Sequence, residues 1–211
     1  MAYSDNGGVT DIGAVGFDLD MTLIDSRPQT LGAFAALGEE TGVVIDLAEV
    51  DRRLGIKLED EVAYWFPEPE RVSAVATYRR HYLLACAATV ALPGAAEALA
   101  AVRAAGDRAV VITAKHPMSA EPCLRAAGLT ADELFTHVHG EEKAAVLRTL
   151  AATAYVGDSP ADMAAAVSAG TLAVGVATGS FGAGALYDAG ADVVLDSLAG
   201  FPAWYSALVT P

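Results

Sequence analysis

Positive charge is scarce in this chain, as are cysteine, histidine and aromatic side chains, and each scarcity closes off a class of function. Lys and Arg number 13 against 27 Asp and Glu, a net charge of -14 that repels a nucleic-acid backbone, so no nucleic-acid partner is expected. No run of five or more acids occurs, which makes the acidity that of a soluble surface. Cys86 and Cys123 are the only cysteines, lie in different apolar segments, and have no CxxC or CxH neighbour suited to zinc or redox work. They read as buried thiols in a reducing compartment. His81, His116, His137 and His139 have no metal-ligand spacing tied to a carboxylate and read as surface or packing residues. Trp65-Phe66 and Trp204-Tyr205 read as packing. The longest apolar run, Leu83 to Leu92 and on through Ala96, is broken by Pro93 and Gly94 short of the ~20 residues a membrane span needs. The N-terminal MAYSDNGGVTDIG has no basic stretch ahead of an apolar one. A soluble, cytoplasmic protein with no membrane partner is expected; its oligomeric state is not written in these features.

What the chain has in quantity is apolar residues, 54% of its 211, with many alanines and a mean hydropathy of +0.38. That is enough for one good core, or one core carrying a smaller inserted domain. Short apolar runs bounded by turn residues read as buried parallel strands: 14 to 18, 108 to 113, 134 to 138, 153 to 157, 172 to 176 and, more weakly, 192 to 195. Helical stretches alternate with them, at 94 to 105, 118 to 127, 141 to 151, 160 to 168 and 183 to 189. Strand and helix in alternation predict an α/β doubly wound parallel sheet, whose ligands gather outside the carboxyl ends of the strands. From 27 to 89 the alternation stops, and helix follows helix at 28 to 41, 46 to 53, 58 to 65 and 69 to 86. The expected organisation is a tail at 1–11, a core at 12–26 and 90–211, and an inserted all-helical cap at 27–89.

Four polar features stand at predicted strand ends or helix starts: Asp18-Leu19-Asp20, Thr113, Lys143, and Gly157-Asp158-Ser159-Pro160-Ala161-Asp162. Such positions would share one rim of the sheet. Acids at i and i+2, joined by a second acid pair, would make an oxygen-rich site for a hard cation such as Mg2+. An aspartate attacking a phosphate dianion needs that cation, and a lysine, to screen like charges. A hydroxyl and main-chain N–H groups would hold the phosphoryl oxygens, and a second acid would manage the proton. Taken singly the parts are unremarkable: a lone DxD is commonly a solvated turn, Thr113 and Asp158/Asp162 are ordinary helix-capping residues, and an isolated lysine is commonly solvated. Gly175, Gly179, Gly182 and Gly184 do not match GxGxxG and imply no nucleotide cofactor.

GFDLDMTLIDS, VVITAK, GEEK and VGDSPADMAAAVSAG resemble, in order, the four motifs of the haloacid dehalogenase superfamily. The resemblance covers about 12 to 26 and 92 to 196, and the helical insertion after the first motif is similar to the family's first-type cap, as in phosphoglycolate phosphatases. It implies a Rossmann-like core and a phosphatase acting on a small phosphorylated metabolite. It further implies Asp18 as the nucleophile that becomes an aspartyl-phosphate and Asp20 as general acid and base. Thr113 and Lys143 would bind the phosphoryl group, with the main chain at Leu19 and Ala114. Mg2+ would be held by the Asp18 carboxylate, the Asp20 carbonyl and Asp158, with Asp162 supporting directly or from behind. Two departures stand out: Met21 where the family usually has glycine, and Ala114-Lys115 where many relatives carry asparagine and lysine. The second makes Lys115 a rival to Lys143 as neutralising lysine; Lys143 is preferred because it opens a helix ahead of the second acid pair. Arg27, Gly55 and Lys57 are the candidates for substrate selection. A phosphoryl-transfer mutase of β-phosphoglucomutase type shares these motifs, and a noncatalytic phosphometabolite-binding protein shares the fold. A dehalogenase or phosphonate hydrolase would not be expected to keep Asp20.

Overall fold

A computed structural model describes residues 13–210; the tail expected at 1–11 lies outside the described residues. Six short runs become parallel strands of one sheet: β1 (Ala14–Phe17), β4 (Arg108–Ile112), β5 (Glu133–Phe135), β6 (Ala154–Gly157), β7 (Leu172–Val176) and β8 (Val193–Leu195). Their order is β5-β4-β1-β6-β7-β8. The chain leaves β1 to one side for β4 and β5, then returns to the other side for β6, β7 and β8. The reversal falls beside β1, so the crevice beyond the carboxyl ends of β1, β4 and β6 is where a ligand belongs.

Alternation along the strands explains why helices cover both faces. Val15, Phe17, Val111, Val156, Val174 and Val176 point into one core, shared with α5 (Ala95–Ala104), α6 (Pro117–Ala126) and α10 (Phe201–Val209). Ala14, Val110, Ile112, Tyr155 and Ala173 point the other way, against α7 (Glu141–Thr149), α8 (Pro160–Ala169) and α9 (Ala183–Asp188). A strand with both faces apolar has no polar face to show, which is why these segments read as continuous apolar runs. The result is the Rossmann-like, doubly wound α/β architecture.

Between β1 and α5 the chain makes a two-stranded antiparallel ribbon, β2 (Ile24–Asp25) with β3 (Val90–Ala91). Inserted between these strands are α1 (Arg27–Thr41), α2 (Leu47–Arg52), α3 (Leu58–Trp65) and α4 (Glu68–Ala85). α1 and α4 pack along one another, with the Phe34 and Tyr78 rings 4.6 Å apart, over buried Ala33, Leu37, Val62 and Ala74. Asp46 caps α2 by accepting from the amide of Ala48 at 2.9 Å, and Gly42 ends α1 in the left-handed region.

Three elements escape the sequence reading. β2 and β3 are two residues each, too short to show a period, and α10 is masked by Pro202 and by its mixed aromatic composition. The run 134 to 138 is strand only to Phe135; beyond it the Val138 amide turns to the carbonyl of Thr113.

Candidate active site

Asp18, Thr113 and Asp158 are the residues that directly follow β1, β4 and β6. The three strands are neighbours, so these side chains converge although they are far apart in sequence. The Asp18 amide donates to Val156 O at 2.8 Å and that of Thr113 to Phe135 O at 2.9 Å, which carries the sheet ladder up to the functional side chain. Asp162 arrives from α8, in a capping box: Ser159 Oγ accepts from its amide, and its Oδ2 accepts from the Ser159 amide and hydroxyl. No side chain fits at Gly157 or Gly179. A Cβ at Gly157 would lie 2.4 Å from Asp162 Cβ, and one at Gly179 would lie 1.8 Å from Asp158 Oδ2.

Both lysines that competed for the neutralising role are used, on different acids. Lys143 Nζ donates to Asp18 Oδ1 at 2.9 Å and to Asp162 Oδ1 at 2.7 Å. It sits in the first turn of α7, where the helix dipole disfavours a cation, so the acids, not the helix, hold its charge there. Lys115 Nζ donates to Asp20 Oδ1 at 2.8 Å and to the Tyr82 hydroxyl at 2.6 Å, and lies 4.1 Å from the centre of the Tyr82 ring. Tyr82 comes from α4 of the insert, so this contact spans insert and sheet. Asp20 keeps a third of its side chain exposed, whereas Asp18 is buried.

Burial is the largest force on the acids. It raises the Asp18 carboxyl from 3.8 to about 7, with Lys143 opposing and Asp162 adding to the rise. Asp158 is also held well above the usual carboxylate range by burial, then by Asp162 and Asp18. Burial would lower Lys143, yet the Asp162 and Asp18 carboxylates keep it well above the ordinary lysine value.

The donor set fits a hard divalent cation. Oxygens of Asp18, Asp158 and Asp162 lie within 4.8 Å of one another, three buried carboxylates facing one ammonium. Two charges of that group are unmatched, and none of the donors is nitrogen or sulfur. The acids are not equivalent. Asp162 has both oxygens engaged, by Lys143, Tyr155 Oη at 3.2 Å and Ser159. Asp158 receives only the Thr22 hydroxyl, at 3.2 Å on Oδ1, among the described residues.

These groups form the floor of a cavity of about 1030 Å³ whose other wall is the insert. Ala114, Gly55 and Lys57 line it, as the sequence suggested they could. Arg27 does not; it ion-pairs with Asp51 of α2 at 3.2 Å. Leu19 is fully buried and does not line the cavity. Three of the four histidines, read from the sequence as surface or packing residues, are gathered at the cavity. His116, His137 and His139 meet at the cavity wall, with ring centres 5.8 and 5.3 Å apart along the row. His116 and His139 are pushed below the usual imidazole value, first by burial and then by Arg79 and Lys57 respectively. Thr22, Tyr82 and Tyr155 were also missed: Thr22 stands four residues after Asp18 inside the first motif, while the tyrosines sit in apolar stretches and give no polar signal.

The haloacid dehalogenase-like hydrolase family matches residues 15–166, which spans every strand-end acid described above. The chain belongs to that family. Among curated relatives, a phosphoglycolate phosphatase from Cupriavidus necator is 31% identical, over 94% of this chain and 93% of its own. One from Chromobacterium violaceum is 32% identical, over 89% and 94%. A haloacid dehalogenase-like family hydrolase from Streptococcus pneumoniae superposes with a TM-score of 0.80 at 21% identity, covering 95% of this chain and 100% of that one. The protein is therefore an enzyme, a hydrolase of the phosphatase type within the haloacid dehalogenase-like family. No helix among the described residues is long and apolar enough to cross a membrane.

Proposed function

We propose that the protein is a magnesium-dependent phosphatase that hydrolyses a small phosphorylated metabolite through an aspartyl-phosphate on Asp18. The observation that carries this reading is a buried Asp18 at the end of the central strand, fixed by Lys143 at 2.9 Å among carboxylates whose charge exceeds that of the lysine. The names of the two phosphoglycolate phosphatase relatives support a small phosphate ester as substrate.

In this mechanism Lys143 binds one Asp18 oxygen, and the other oxygen attacks phosphorus. The Thr113 hydroxyl and the amides at Leu19 and Ala114 hold the phosphoryl oxygens, so charge moving onto them meets fixed donors. Asp20 protonates the departing alkoxide, then takes a proton from the water that attacks the acyl phosphate. Lys115 and, through it, Tyr82 fix where the Asp20 carboxyl points. Asp18, the main-chain carbonyl of Asp20 and Asp158 would hold Mg2+, with Asp162 orienting Lys143 and α8 from behind. When bound, that ion neutralises the acids and polarises the phosphoryl group. Lys57, facing the cavity from the insert, would contact the leaving group.

The test is phosphate release across a panel of phosphorylated metabolites with magnesium. Asp18→Asn is expected to lose at least about 1,000-fold in turnover. Near-normal turnover in that variant would reject the nucleophile. Isomerised sugar phosphate without free phosphate would instead mark a mutase.

A further inference from the structure

The fold brings together the only two cysteines of the chain, and the hydrolytic site uses neither. Cys86 opens the 3₁₀ turn Cys86–Ala88, where the last helix of the insert ends and the chain returns towards β3. Cys123 lies on α6 of the core, 37 residues further on. The Cys123 thiol donates to the Cys86 sulfur with the two sulfurs 2.7 Å apart, and the Cys86 thiol faces the Ser119 carbonyl at 3.8 Å. Both side chains are buried, at 2% and 0% exposure, so nothing from solvent separates them.

A disulfide has its sulfurs about 2.05 Å apart, so the pair stands within about 0.7 Å of bonding distance. Two thiols in one chain meet at such range only if the backbone has already aligned them. The alternative, two structural thiols serving as small apolar fillers, requires no such convergence.

We propose that Cys86 and Cys123 are a disulfide-forming site that staples the root of the helical insert to the core. With a peroxide, one thiolate attacks an oxygen of the peroxide to give a sulfenic acid. The second thiol sulfur then attacks that sulfur, the S–S bond forms and water leaves. The two thiols lose two electrons and two protons, and one peroxide becomes two waters. With oxidised glutathione, two successive exchanges give the same bond and two molecules of reduced glutathione.

Burial, then the contact with Cys123, pushes the Cys86 thiol up to about 12, which leaves little thiolate in the folded protein. The bond therefore forms slowly in the native state and readily while the seam between the turn and α6 is still open during folding. Once formed, the same burial shields it from reductants. This is a staple, not a rapid switch. It closes a 37-residue separation in the unfolded chain and removes freedom from that state.

The test has two arms on the full-length protein: peroxide treatment of the folded, reduced enzyme, and refolding from denaturant in oxidised glutathione. The expected result, in the refolding arm at least, is an intact mass lower by about 2 Da and a non-reduced peptide joining Cys86 to Cys123. The melting midpoint should rise by about 10 °C and fall back when the protein is reduced while unfolded. Cys86→Ser and Cys123→Ser should each remove the mass change and the shift. The proposal is overturned by no cross-link in either arm, by sulfinic acid or an intermolecular dimer in its place, or by a cross-link that lowers the midpoint.

Discussion

The rim of the sheet and the helical insert handle charge in opposite ways. At the rim, Lys143 and Lys115 are buried and bound to acids 125 and 95 residues away, so their pairing exists only in the finished fold. In the insert, Arg53 pairs with Glu61 eight residues on, Arg79 with Glu59 and Arg27 with Asp51, and the side chains of the last two pairs are more than a third exposed. Exposed pairs exchange easily with water and contribute little, whereas a buried charge stripped of its partner is costly. On the proposed function, the chemical step belongs to the rim, where a change of charge is costly, and choice of substrate to the insert, where it costs less.

The contrast is broken most easily at Lys143. Lys143→Met keeps the volume but leaves Asp18 and Asp162 facing each other, and should lower phosphate release by at least about 100-fold and stability by about 3 kcal/mol. Arg79→Met, on the insert side, should change stability by less than about 0.5 kcal/mol. Equal losses of stability in the two variants, measured by denaturant titration, would erase the distinction between rim and insert.

A second, smaller effect belongs to the rim alone. The Asp18 carboxyl lies near 7 in the fold against 3.8 when free, so between those values the folded protein binds more protons than the unfolded chain. Raising pH through that window must therefore cost stability, and Asp158 adds in the same direction. The melting midpoint of chelator-treated protein should fall as pH goes from about 5 to about 8, and magnesium should flatten the fall. A chelated protein with a level profile would show that the rim acids are not crowded as described.

How legible each region was follows from the same physics. The strands announced themselves because both faces of the sheet are covered, and the rim acids because a strand end followed by DxD or GDSPAD places polar residues where apolar ones had run. Helix after helix likewise marked the insert. Contacts between segments apart in sequence were not legible: Lys115 to Tyr82, the row of His116, His137 and His139, and Cys86 to Cys123 join segments whose proximity no local pattern records. Arg27 failed for the converse reason, since a cation near the first motif in sequence found a nearer acid in Asp51.

The insert side can be sharpened with Lys57. If it meets the leaving group, Lys57→Ala should raise KM about 10-fold, the worth of one charge-assisted hydrogen bond, with kcat within about twofold. Arg27→Ala should alter neither. A loss of kcat in Lys57→Ala with unchanged KM would move Lys57 from the selecting wall to the reacting one.

The smallest expected effect concerns Met21, where rim and insert meet. Its φ of 59° puts a side chain in the left-handed region directly after Asp20. The turn is held by its amide to Ile24 O at 2.9 Å and by the Thr178 hydroxyl on its carbonyl at 2.5 Å. Strain of this kind costs about 1–2 kcal/mol, and glycine would relieve it while losing about 0.5–1 kcal/mol to the freedom of the unfolded chain. The balance favours Met21→Gly by about 0.5 kcal/mol, a rise in melting midpoint of about 1–2 °C. Because the two hydrogen bonds are main-chain or to main chain, the turn keeps its shape and kcat should stay within about threefold. A fall of several degrees would mean that the half-buried methionine packs at the mouth of the cavity more strongly than its backbone is strained, making Met21 part of the selecting wall.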